Sequence, residues 1–213
     1  MSTTLQIPTA EGVKAACERL DAESEATQAA LTELFQLFPQ NDDLRHVLLK
    51  VGAVNSFHCC SMFAMFDVAR NIQQHAAEID AAIQAGSPEV IEKIAVITVK
   101  GKVHNFYSFA TKYCNWHQPN LFPIYDSRID SYLWDLQQQN HFAAFPHTDL
   151  CNYAKFRNIM IAFRDFHGLG AFTFKDIDRF LHPHSAPPAL ATAETRHAGP
   201  AAFDFYAAEE VLS

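Results

Sequence analysis

Apolar residues recur at helical spacing along most of this chain, and segments with strand-like alternation are few and short. Thr9 is placed to cap a helix running to about Phe38, with Leu20, Leu31, Leu34 and Leu37 among its apolar positions and Pro39 as its stop. Asn41, Asp42 and Asp43 form an acidic start for a helix over Leu44–Val51. The apolar series Phe57, Met62, Phe63, Met65, Phe66 and Val68 predicts a helix over Ser56–Ile72. Another follows over Gln74–Gln84, and Gly86 terminates it. Ser87-Pro88-Glu89 supplies a cap, a first-turn proline and an early acid for a helix ending near Val99. Asn105–Trp116, Ser127–Gln139, Asn152–Phe166 and Phe174–Leu181 complete an all-α reading.

The C-terminus breaks this pattern. His182–Pro200 holds four prolines and many alanines, the composition of a flexible linker. Phe203, Phe205, Tyr206, Val211 and Leu212 then form a short amphipathic tail that would dock on the domain or on a protein partner. The expected organisation is an acidic helical segment over residues 1–43 packed on the domain, a helical body over 44–181, and linker plus tail over 182–213.

At 213 residues the chain suits one domain or two tightly packed subdomains. No apolar run is long enough to cross a bilayer, and the N-terminus lacks the basic start and apolar core of a secretion signal. The five scattered cysteines therefore read as reduced thiols of a cytoplasmic protein without a membrane role. The formal net charge of −8 is unevenly spread. Residues 1–43 carry eight acids and two bases, whereas Lys93–Lys112 carries four lysines and no acid. That middle segment can face phosphate while the ends keep the protein soluble, or its lysines can simply solvate a helical face.

The segment from Lys100 to Asp130 concentrates the candidate chemistry. Gly101 between Lys100 and Lys102 permits a left-handed turn whose amides would converge on an anion, although an ordinary surface loop has the same composition. In the following helix Phe106, Phe109, Tyr113 and Trp116 share one side, the pattern of a core stripe. Lys112 lies off that stripe, on the face of Tyr107 and Ser108, and is either a solvated helix lysine or a desolvated nucleophile. A loop stiffened by Pro119 and Pro123 ends at Asp126, which is either a plain helix cap or a capping carboxylate that also does chemistry. Arg128 is a candidate phosphate contact, or an ion-pair partner of Asp130. The eleven histidines complete no ligand set with metal-binding spacing, so neither a metal nor another cofactor is expected.

The order of basic glycine turn, helix, proline-containing loop and Asp-led helix resembles the helix-hairpin-helix DNA glycosylases, in particular 8-oxoguanine DNA glycosylase-like proteins. Ser108–Asp130, SFATKYCNWHQPNLFPIYDSRID, carries most of the likeness, and Leu48–Ile72 is similar to the family segment that wedges into the duplex. The resemblance covers about Leu44–Leu181. It implies two closely packed helical subdomains that bind double-stranded DNA and flip out a damaged or modified base. The family's aspartate falls on Asp126, which would stabilise the cationic sugar or orient water. Its phosphate-binding hairpin falls on Lys100, Gly101 and Lys102. Its lyase lysine would fall on Tyr107 or Ser108 rather than on Lys112, which points to a monofunctional enzyme using water. The wedge falls on His58-Cys59-Cys60-Ser61-Met62, so His58 and Ser61 are candidate DNA contacts, and Tyr107, Trp116 and Tyr125 are candidate stacking platforms. Two alternatives stay open: a relative that binds nucleic acid without chemistry, and a helical protein-interaction module.

Overall fold

The computed structural model describes residues 5–19 and 22–184; the expected linker after His184 and the amphipathic tail lie outside them. Among the described residues the protein is a helical assembly with one small antiparallel hairpin. Its helices are α1 (Ala10–Glu18), α2 (Ala22–Leu37), α3 (Leu44–Phe57), α4 (Met65–Gln74), α5 (Ala76–Ala85) and α6 (Val90–Ala95). The hairpin strands β1 (Val96–Val99) and β2 (Lys102–Asn105) follow, then α7 (Tyr107–His117), α8 (Ser127–Asn140), a 3-10 turn His147–Cys151, α9 (Tyr153–Phe166) and α10 (Phe174–His184). No helix among the described residues is long and apolar enough to cross a membrane.

Local chemistry accounts for most of the ends. Thr9 accepts from the Gly12 amide, Asp43 from Arg45 and Asn152 from Lys155, each offsetting an orphan donor of a first turn. Gly86 ends α5 at φ 66°, and its amide meets the Ala82 and Ile83 carbonyls.

The helix expected over Leu44–Val51 runs on to Phe57, and three other expected helices differ more deeply from the structure. The helix from Thr9 to Phe38 is two helices, because α1 packs on α10 while α2 packs on α3 and α7. The helix expected over Ser56–Ile72 begins only at Met65. Before it, His58–Ala64 forms a loop with Cys59 at φ 48° and Ser61 at φ 53°. The Asn55 side chain holds that loop, donating to the Met62 carbonyl and accepting from its amide. Such backbone costs about 1–3 kcal/mol per residue unless its surroundings over-determine it.

The third difference concerns the basic turn. The helix expected to reach Val99 stops at Ala95, and Val96-Ile97-Thr98-Val99 is a strand. Four β-branched side chains in succession disfavour helix and suit a pleated ribbon. Lys100 and Gly101 both have positive φ, 50° and 78°, the conformation of a two-residue hairpin turn, and Val99 pairs with Lys102. Lys100–Lys102 thus joins two strands instead of two helices.

The core centres on α7, whose residues Phe109 through Trp116 are all buried. Phe106, Phe109, Tyr113 and Trp116 do form core, as their spacing predicts. The opposite face is buried as well, so polar groups of α7 need internal partners. Thr111 Oγ1 donates to the Ser108 carbonyl, Asn115 donates to the Phe122 carbonyl, and Tyr113 donates to Asn41. Lys112, for which the sequence leaves a solvated helix face and a desolvated nucleophile open, is 7% exposed, so it is not a solvated surface lysine.

Candidate functional site

A cleft of about 710 Å³ opens between four segments: the end of α3 with its loop, the start of α7, the start of α8, and α10. Pockets of this size admit small ligands. Ser108 and Lys112 reach it from successive turns of α7, and the Lys112 ammonium donates to Ser108 Oγ at 3.1 Å.

Asp126 arrives by a braced route. The loop before it is held where Asn115 donates to the Phe122 carbonyl, Tyr153 donates to the Pro123 carbonyl, and the Tyr125 amide donates to Thr111 Oγ1. Asp126 then caps α8, its Oδ1 accepting from the amides of Arg128 and Ile129 at 3.0 Å each. The carboxylate is half-buried and borders the cleft. Capping therefore fixes it at the opening without sealing it inside.

Tyr107 and Tyr125 flank the same space, ring centres 4.7 Å apart. Burial raises both phenol pKa values, so both stay neutral hydrogen-bonding groups at physiological pH. His58 lines the cleft and receives the indole N–H of Trp116 on Nε2 at 2.8 Å. Because that indole can only donate, a neutral His58 carries its proton on Nδ1. Cys60 also lines the cleft, and burial pushes its thiol pKa upward.

Several expected site residues stand elsewhere. Trp116 is buried, and the Lys175 ammonium covers its ring at 3.2 Å from the centre, so neither face is offered to a base. Lys100, Gly101, Lys102 and Ser61 do not line the cleft, although Asn105 at the foot of the hairpin does. Arg128 does line it, and Asp130, its alternative partner in the sequence reading, lies 2.7 Å from His147 Nε2 and accepts from the Tyr125 hydroxyl.

Asp178 on α10 completes the lining and was not singled out from sequence. A signal was present: Phe174, Ile177 and Leu181 are buried at helical spacing, and position 178 belongs to the same stripe. A carboxylate there is out of place unless a cavity or partner receives it. Its Oδ1 is buried without a hydrogen-bond partner among the described residues. Burial first and the Asp126 charge second raise its pKa to about 7, against the opposing pull of Lys112, Arg179 and Lys175. Together the cleft holds two carboxyl groups in unlike environments, one ammonium, two serine hydroxyls and two phenol rings.

No solved structure matches this chain. An uncharacterized protein of Haemophilus influenzae is 35% identical over 135 residues, covering 63% of this chain and 64% of that relative's length. The HI_0787_N family, described as an N-terminal domain, matches residues 12–121, a stretch that includes His58, Ser108 and Lys112 and stops short of Asp126 and Asp178. With more than half of its 213 residues inside that match, the chain belongs to the HI_0787_N family.

Proposed function

We propose that this protein is a glycosylase-like enzyme of the cytoplasm that flips a modified or damaged base out of double-stranded DNA and excises it hydrolytically, with a β-hairpin where the helix-hairpin-helix enzymes have a turn between helices. The supporting observation is the convergence of Asp126, Lys112 and Ser108 on one open cleft walled by Tyr107 and Tyr125. A flipped nucleotide needs a base-sized slot beside flat rings and a fixed charge facing its sugar. Exposed Phe57 and Phe63 stand at the end of α3 and in the loop after it, Phe57 at the cleft itself. Apolar side chains so placed suit insertion between base steps that are being unstacked.

As the bond between the base and C1′ breaks, positive charge develops on the sugar. Asp126, immobilised by two amides, is pre-oriented to stabilise that charge or to direct a water to C1′. Lys112 holds the Ser108 hydroxyl at the same edge of the cleft. Arg128 and His58 also line the cleft and would meet the flanking phosphates in this reading.

Base release from duplexes carrying single modified bases tests this reading, with Asp126→Asn as control. Release by the wild type and its loss in the variant is the expected result. Borohydride should trap no protein–DNA adduct; an adduct that disappears in Lys112→Gln would put the lysine amine in place of water. Salt-sensitive binding without release would leave a recognition module. Absence of any DNA binding would favour the interaction module.

A further inference from the structure

The base-excision reading leaves the Asp178 carboxyl unused, although it lines the same cleft as Asp126 and Lys112. The two carboxyl groups stand in unlike surroundings of one cleft, and the Asp126 charge raises the pKa of Asp178. Asp126 accepts two amide hydrogens at the positive end of α8. Asp178 has a buried oxygen with no donor among the described residues. It faces Asp126 from α8 and Lys112 from α7, with Lys175 and Arg179 on its own helix.

We propose that Asp178 is the catalytic acid of the excision, giving its proton to the departing base while Asp126 remains the carboxylate at the sugar. This role rests on the base-excision reading above. In the step, the C1′–N bond breaks and its electron pair goes to the base, which takes the proton of Asp178. Water then adds its oxygen to C1′, and its spare proton returns to the Asp178 carboxylate. The products are a free base and an abasic sugar, and no oxidant, metal or second substrate is consumed. The arrangement is that of paired carboxyl groups in glycoside hydrolysis, one acid and one charge stabiliser. Burial and Asp126 hold the acid's pKa near 7, so about half of it is still protonated at neutral pH.

The test measures single-turnover base release from duplexes carrying 8-oxoguanine, hypoxanthine, uracil or 5-fluorouracil, for wild type, Asp178→Asn and Asp126→Asn. Wild-type release should fall as pH rises through about 7, and Asp178→Asn should lose that limb. Its rate should drop about 100-fold on uracil and far less on 5-fluorouracil, whose base departs more readily without a proton. Affinity for a duplex with a non-cleavable 2′-fluoro nucleotide should stay unchanged. An equal loss on both bases with an unaltered pH profile would overturn the acid role while leaving the excision reading intact. Should the variant fail to fold, the wild-type profile decides, and a flat profile between pH 6 and 8 overturns the role. A wild type that releases none of the four bases overturns reading and role together.

Discussion

Lys50 and Lys112 are both buried in the same helical core, on α3 and α7, and their surroundings differ completely. Lys50 is 0% exposed and spends its three hydrogens on the Phe38 carbonyl, the Gln40 carbonyl and Asn41 Oδ1, at 3.0, 2.9 and 2.7 Å. Asn41 in turn bonds Asp80 and receives Tyr113, so one ammonium joins the α2–α3 connection to α5 and α7. Burial pushes the Lys50 pKa down to about 8 and that of neighbouring His117 to about 3. Among the described residues Lys112 has one hydrogen bond, to Ser108, and it lines a cleft beside two carboxyl groups. A buried polar group whose bonding capacity is filled builds structure. One left partly unfilled at a cavity is available for chemistry.

The difference can be broken or sharpened by exchanging stability against activity. The largest expected effect is in the cleft: Asp126→Asn should slow base release roughly 1,000-fold with little change in melting temperature, because asparagine also caps a helix. In the saturated knot the pattern should invert. Lys50→Met takes their ammonium donor from the Phe38 and Gln40 carbonyls and one of two donors from Asn41 Oδ1, and should cost roughly 3 kcal/mol in chemical denaturation. Lys112→Met should cost far less, and equal losses for the two lysines would dissolve the distinction.

Asp178→Asn should stabilise the protein. The folded state holds this proton up to about pH 7, against 3.8 for the free side chain, so Asp178 favours folding below pH 3.8 and that contribution is lost as pH rises through 7. Relative to wild type, the variant should gain about 4 kcal/mol between pH 4 and pH 8, read from denaturation midpoints at both. No gain would mean that Asp178 is ionised without penalty. The smallest effect belongs to a control outside both regions. Gly86→Ala places a Cβ 3.2 Å from Leu121 at a left-handed backbone and should cost about 1 kcal/mol without altering base release.

What was legible in the sequence follows the range of the interactions. Thr9, Asp43, Gly86, Asp126 and Asn152 each act on amides or carbonyls within a few residues, so their roles as helix ends can be read locally. The hairpin was hidden because Ser87-Pro88-Glu89 announces a helix and the β-branched run ending it is only four residues long. Asp126 could be named from its cap and its resemblance. Lys112 could be named too, but its burial could not, since a lysine off an aromatic stripe is ordinarily solvated. Asp178 escaped because its meaning depends on residues more than fifty positions away in α7 and α8.

The order of residues by itself determined where most helices begin and end, and that α7 would supply the core. Only the tertiary structure decided which polar groups of that core are satisfied and which face open space. The physical reason is that periodicity and capping act over one or two turns, whereas desolvation and charge pairing depend on what distant segments bring alongside.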